Sequence, residues 1–584
     1  MLEPDSRAAL TEQLRPPSGY ELVHAVGTTF TLDLTSALAV PLSFAGHHVR
    51  ESDDPIAILD AVRRAADRVD IFAQAGHIAV PRQASDLVAF LEPMVHPVAV
   101  PRPGALFHPK VWILEYARGL HRSYRLLCSS RNITSDRSWD LVVRLDGVEG
   151  DEPLEQNEPL GDLLRSLPSL AISPLAQERR DRFEGLAERV SKVSWELPAD
   201  IRQLGFHALG IGRPKTIDFT GKRHLVISPF ISDDGLADIT SSSRERVRVI
   251  SRAESFDRLR PETLKFVDAY VLDDAVRDSE EIDGDPLVGL HAKAYFLDRS
   301  PTSRAVVGSA NATHAAFGGN VEFLIEMVGP QPRIGVGAVF GGDSELRKLT
   351  MPYVTTGGVQ ETEVEKADRA LDDAIRSLAS TRLLNTVRLD EGDRFSIDVQ
   401  AITTSKPMDG IDTQVQLLTK PGNTNSLPTL DGPPAVFTDL DLTDITPFVV
   451  IRVTDTRGEQ RSTVVCAELI GDRDHRRDAV LARQIDTPEK FLRFLHLMLS
   501  LGGSAGAHLP VGGSGGFGSW SSDGAGVFET LVRSLAENPE GLDDLARLVE
   551  RMRDANSSGS LPAGFDDLWE PVWRARLAQK GGAA

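Results

Sequence analysis

Two stretches of this chain each set a histidine and a lysine two residues apart, His108-Pro109-Lys110 and His291-Ala292-Lys293. On a strand, that spacing points both side chains to one face. Five residues beyond each lysine stands an acid, Glu115 in the first stretch and Asp298 in the second. A Ser-x-Asn element then follows, Ser129-Ser130-Arg131-Asn132 in one copy and Gly308-Ser309-Ala310-Asn311 in the other. A single such tripeptide arises readily by chance on a solvated surface. Two copies in the same order argue for a shared task.

The residue types suit chemistry at a phosphodiester. That group is anionic and resists attack, so a site needs cations and oriented donors around the charge that develops in the transition state. Lys110, Lys293, Asn132 and Asn311 supply them. A route through a covalent intermediate also needs a nucleophile and an acid for the leaving oxygen. Two histidines held in opposite protonation states fill both roles, because the free side chain titrates at about 6.5.

This arrangement resembles the phospholipase D superfamily, whose signature is His-x-Lys-x4-Asp with a downstream Gly-Ser-x-Asn, usually duplicated in one chain. The resemblance covers roughly residues 20 to 330. In the second copy His291, Lys293, Asp298, Gly308, Ser309 and Asn311 all match, whereas the first has Glu115 for the family's Asp and Ser129 for its Gly. The resemblance implies that His108 is the nucleophile and His291 the general acid, and that Ser130, Ser309, Glu115 and Asp298 belong to the catalytic set. It further implies an acid beyond each asparagine that orients an imidazole; Glu322 and Asp140 occupy those positions.

The elements that must position these residues read as α/β. Asp67 to Gly76 and Lys222 to Ile231 are short apolar strands, each followed by a helix-like stretch and then by its own His-x-Lys strand, which predicts a duplicated fold of two sheets flanked by helices. Residues 151–200 are acid-rich and helical in pattern. If the halves pack about a pseudo-two-fold axis, both motifs meet in one cleft. The expected units are residues 1–200 and 201–345 for the two halves, 346–475 for a helix plus a small β-rich domain, and 476–584 for a helical domain. Glu361 to Leu384 reads as an amphipathic helix. Phe395 to Ile402, Thr413 to Leu418, Phe448 to Val453 and Ser462 to Leu469 read as strands of a sandwich or barrel. Thr487 to Leu499, Val527 to Met552 and Phe565 to Leu577 read as helices, and Gly502 to Gly526 as a Gly/Ser-rich loop. That loop lacks the Gly-Lys-Ser/Thr ending of a P-loop. Phe491, Trp569 and Trp573 read as core anchors, and the C-terminal third as a docking or regulatory module that leaves the chemistry to residues before 345.

The 584-residue chain carries a net charge of -21 and only two cysteines, Cys128 and Cys466. A disulfide framework is excluded, no cofactor or metal is expected, and a reducing, cytoplasmic setting fits. The N-terminal residues show no signal pattern, and no apolar run is long enough to span a membrane. The acidic body argues against coating nucleic acid with the whole surface. Residues 101–150, however, hold three more basic than acidic side chains. Arg122, Arg125 and Arg131, with Arg102, Arg118 and Arg137, are therefore expected either to track phosphates in a groove or to be ordinary solvated residues. The resemblance implies a metal-independent nuclease, with DNA as first substrate and RNA second, similar to the phospholipase D-like proteins of bacterial anti-phage and DNA-processing systems. A partner ATPase or self-association through the C-terminal region is a further expectation. A phospholipase or phosphatidyltransferase, and a scaffold without catalysis, are the alternatives.

Overall fold

The computed structural model describes residues 10–44, 63, 65–82, 86–135, 138–212, 216–273, 289–403, 409–473, 476–485, 487, 491, 495, 531–532, 534–535, 539–554, 561 and 565–581. It is a mixed α/β structure with two large sheets and two smaller four-stranded ones. Arg137, the loop Gly502 to Gly526 and most of Thr487 to Leu499 lie outside the described residues.

The first large sheet has seven strands, in the order Val95–Val98, Val69–Gln74, Glu21–Thr29, Val111–Arg118, His121–Ser129, Val142–Glu149, Val193–Trp195. The second has eight, and six of them repeat that order: Val267–Leu272, Val247–Ile250, Arg223–Ile227, Ala294–Asp298, Thr302–Gly308, Glu322–Pro330. Strand sense repeats as well. In both sheets the first three of these strands pair in parallel and the last four antiparallel. The duplication read from two motifs is thus a duplication of topology.

The motif strands are apolar because both faces are covered, with Val111 to Tyr116 and Ala294 to Asp298 all buried. One hydrophobic cluster joins the halves, with Val111, Ile113, Leu126 and Cys128 from the first packed with Phe206, Phe323 and Ile325 from the second. The helices Glu158–Leu170 and Gln177–Ser191 close it from outside, the latter through Phe183, Leu186, Ala187 and Val190 at helical spacing.

Beyond Tyr353 the helix Glu363–Ala379 starts on a capping box formed by Thr362 and Glu365. It ends earlier than the amphipathic pattern suggests, because Leu383–Leu389 is a strand paired with Phe395–Ala401. Three further strands complete the two sheets: Asn425–Ser426 and Ala435–Leu440, which the sequence reading missed, and Glu468–Ile470, split off from Gln460–Cys466. Both four-stranded sheets contribute to one core. In the helical region Phe491 meets Phe565 edge to face, and Phe565, Trp569 and Trp573 stack in turn, with Phe491 and Trp569 buried.

The C-terminal module is not set apart from the first half. Leu418, Phe448, Val450 and Val464 belong to the same apolar cluster as Val69, Ile71 and Leu114. The Thr463 hydroxyl donates to the Ile78 carbonyl at 3.0 Å, and the buried Arg476 guanidinium pairs with Glu92 at 2.5 Å. Gly76, at φ +86, has no room for a Cβ because the backbone of Arg376 would lie 2.8 Å from it. The residues beyond 345 therefore pack onto the first half, and their strands complete the core under the first motif.

Candidate active site

Each motif is stitched to the opposite half by an isolated bridge. Phe107 pairs with Val321 and Trp139 with Leu290, both in parallel sense. The His108 N–H donates to the Val321 carbonyl at 2.9 Å, and the His291 N–H to the Trp139 carbonyl at 3.0 Å. One residue further along each bridged segment, the side chains meet. His108 Nδ1 lies 2.9 Å from Glu322 Oε2, and His291 Nδ1 lies 3.0 Å from Asp140 Oδ1. Each imidazole is therefore oriented by a carboxylate from the other half, which sequence spacing does not reveal.

The carboxylates are themselves fixed. Ser309 donates its hydroxyl to Glu322 Oε2, and Asn320 Nδ2 reaches Oε1 at 3.3 Å. Ser130 donates to Asp140 Oδ1 at 2.9 Å and Ser138 to Oδ2 at 2.7 Å. With Nδ1 of both rings committed, Nε2 is the atom each ring has left for chemistry. Lys110 and Lys293 curl back to donate to the carbonyls of His108 and His291, at 2.9 and 2.6 Å. Both ammonium groups are buried.

Burial sets the protonation states. It drives the His108 imidazole down to about 4, against the opposing pull of Glu322, so the ring is neutral at pH 7. Burial also lowers His291, with Asp140 working in the other direction. Lys293 is pushed down to about 7 by burial, and Lys110 falls well below the lysine range from burial and the charge of Lys293. Burial alone would raise Glu322, but His108 and Lys110 more than offset it and keep the carboxyl below its usual range. Two acids thus face two lysines whose burial weakens their hold on a proton. An incoming phosphate diester raises the affinity of both lysines for protons.

Asn132 turns its side-chain oxygen to the Thr31 N–H at 3.3 Å, leaving the amide nitrogen as a donor. The Asn311 side-chain oxygen is buried without a partner among the described residues; rotating the amide by half a turn presents a donor in the same place. Gly308 must be glycine, because a Cβ there would meet the Phe323 carbonyl oxygen at 2.2 Å.

Two expected members of the catalytic set are elsewhere. Glu115 is held by both arms of Arg189 at 2.8 Å and by Arg122. Asp298 binds Arg223 at 2.7 Å, the Ser303 hydroxyl at 2.6 Å and the Val336 N–H at 3.0 Å. Each lies five residues along an extended strand from its lysine, about 16 Å away. They clamp the outer ends of the motif strands and do not join the histidines.

The arginines divide similarly. Arg125 is buried, bonded to Asp146 at 2.6 Å and to the carbonyls of Gln13 and Arg15, so it anchors the N-terminal segment and is not groove-lining. Arg122 sits at the Glu115 end of its strand, about 23 Å of extended chain from Ser129. Arg131 is exposed within the motif loop itself, where its N–H caps on Ser129 Oγ at 2.9 Å. Arg102 and Arg118 are exposed, the first near the Gly210 carbonyl and the second over the Tyr20 ring.

The sequence reading missed several neighbours. Phe30 packs its ring 5.0 Å from that of His108 and 4.0 Å from that of His77, with Lys110 Nζ 5.6 Å from its centroid. Gln74 accepts the Phe107 N–H at 2.7 Å. None stands at a fixed spacing from a motif. Phe30 follows the strand that pairs with the first motif strand and Gln74 ends the strand beyond it, and this strand-end position is their one legible signal.

Among the described residues, no helix is long and apolar enough to cross a membrane, and no group of three or more His, Cys, Asp and Glu could hold a metal ion. No family model matches the chain, and no curated protein matches it. Among solved structures, the chain is similar to a mutant of yeast tyrosyl-DNA phosphodiesterase, with 14% identity and a TM-score of 0.36 over 56% of this chain and 86% of that one. It is also similar to phosphatidylserine synthase from Haemophilus influenzae Rd KW20, with 12% identity and a TM-score of 0.33 over 62% and 89%. At these TM-scores the likeness carries no argument about activity.

Proposed function

We propose that the chain is a phosphodiesterase of the phospholipase D type, cutting DNA without a metal through a phosphohistidine intermediate. The observation that carries this reading is the pair of imidazoles, each tied through Nδ1 to a carboxylate of the opposite half, above two buried lysines.

In the first step Nε2 of neutral His108 attacks phosphorus, and the bond from phosphorus to the leaving oxygen breaks as His291 gives that oxygen its proton. The lysines and the asparagine amides hold the non-bridging oxygens. In the second step His291, now neutral, takes a proton from water. The oxygen of that water bonds to phosphorus, the phosphorus–nitrogen bond breaks, and His108 is restored with a phosphomonoester as product. The His108 imidazole, held neutral at pH 7, suits the nucleophile, which must be unprotonated to attack.

Arg131 is the expected nucleic-acid contact that lies at the motif. A place in anti-phage defence or DNA processing is the narrower form of this reading, and it rests on the sequence resemblance.

The test is incubation of the purified protein with single-stranded DNA, duplex DNA, RNA and phosphatidylcholine vesicles, with and without EDTA. Cleavage of DNA that persists in EDTA is expected. Loss of cleavage in EDTA with recovery on adding magnesium or manganese would overturn the mechanism, and turnover of the lipid alone would move the chain to the lipid class.

A further inference from the structure

The duplicated topology allows the two rims of the cleft to be compared position by position. Thr29 and Ser228 correspond: their hydroxyls accept the N–H of Ile133 at 3.1 Å and of Ala312 at 3.0 Å, each the residue after a motif asparagine. Beyond Thr29 the chain turns the Phe30 ring inward onto His77 and His108. Beyond Ser228 it does the reverse, and Phe230 remains 48% exposed.

That exposed ring is nevertheless held in place. The Ser228 hydroxyl donates to the Phe230 carbonyl at 2.7 Å, and Ile231 bridges to Ala312, next to Asn311. The Arg252 guanidinium lies over the ring, 5.0 Å from its centroid, while its Nε donates at 3.1 Å to the carbonyl of Leu290, the residue before His291. Arg252 takes the place that Gln74 holds in the first half, so a cation replaces an amide on this side alone, and its charge is felt by Lys293. A rigid aromatic ring backed by a cation and open to solvent, braced by the neighbours of His291 and Asn311, suits the flat face of another ring.

We propose that Phe230 is a stacking platform for an unpaired base of the strand whose phosphodiester lies between His108 and His291. This rests on the nucleic-acid reading above and deepens it: a base paired within a duplex cannot lay its face on a single side chain, so the preferred substrate is single-stranded.

The experiment measures binding and cleavage of a single-stranded DNA oligonucleotide, the same oligonucleotide made abasic around the cleavage site, and its duplex, by the full-length protein, Phe230→Ala and Phe230→Trp. Phe230→Ala should weaken binding of the single strand by about 5- to 150-fold. It should leave the abasic strand and the melting temperature unchanged, and Phe230→Trp should keep wild-type affinity. Equal effects of Phe230→Ala on the base-bearing and abasic strands, or no effect on either, would overturn the inference while leaving the phosphodiesterase reading intact. A wild-type protein that neither binds nor cuts any of the three would instead overturn the nucleic-acid reading itself.

Discussion

The two halves share a strand order and a motif yet bury their histidines differently. The His108 side chain is 10% exposed and the His291 side chain 17%. The C-terminal module joins the apolar core beneath the first motif, whereas the clusters around the second draw nothing from beyond Tyr353 among the described residues. A nucleophile gains from a dry, neutral, fixed imidazole. An acid must exchange its proton with the leaving group and with water, and tolerates a wetter position. The asymmetry of packing therefore parallels the division of labour proposed for the two rings.

Replacing either ring is the severest way to break this comparison. His108→Ala and His291→Ala should each lower turnover by several orders of magnitude, since groups that act as a unit fail together. Rapid quench with labelled substrate should find phosphohistidine on His108; label on His291 instead would exchange the roles of the halves.

The crossed carboxylates come next. Glu322→Gln and Asp140→Asn keep shape but lose the charge that fixes each tautomer, and each should cost about 10⁴-fold in kcat by analogy with a triad aspartate. Steady-state kinetics checks the size, and quench kinetics checks that Glu322→Gln slows formation of the intermediate. Lys110→Ala and Lys293→Ala should each cost about 100- to 1000-fold, as for the loss of one oxyanion donor.

The pH profile probes the halves without mutation. The nucleophile His108 must be deprotonated, so the acid limb of kcat/KM should fall only below about pH 4. The acid His291 must be protonated and its pKa is lowered, so activity should decline as pH rises through a value below the ordinary one for histidine. Lys293 adds to that decline by losing its charge above about 7. Because phosphate restores that charge, calorimetry above this pH in buffers of different ionisation heat should show proton uptake on binding. Smallest in its effect on activity is Arg125→Ala. Losing the buried guanidinium and its bonds to half-buried Asp146 and to the Gln13 and Arg15 carbonyls should cost about 1.5–3 kcal/mol of stability, seen as a lower melting temperature, with the salt dependence of DNA binding unchanged.

Much of this was legible in the sequence. The two His-x-Lys stretches and their Ser-x-Asn partners could be named from spacing, the acids Asp140 and Glu322 only through the family resemblance, and the repeated strands around them announced the duplication. Parity along the strand could also have removed Glu115 and Asp298: five is odd, which turns them to the face opposite their lysines. The crossing of carboxylates between halves was not legible, because bridges such as Phe107 to Val321 are tertiary. Nor could an apolar pattern in Phe448 to Val453 say which surface it covers, so the module beyond Tyr353 read as separate when it shares a core. Arg125 misled for the same reason, since a basic residue in a basic window carries no mark of its partner.

The crossed hydrogen bonds span 214 residues between His108 and Glu322, and 151 between Asp140 and His291. During synthesis the first motif is translated long before its carboxylate exists, and loop closure over such separations is slow. A nascent chain halted anywhere before residue 322 holds an imidazole with no acid to orient it. On the proposed mechanism the emerging polypeptide is therefore inert until both crossed pairs have closed, and competence arrives as a late event in its own folding.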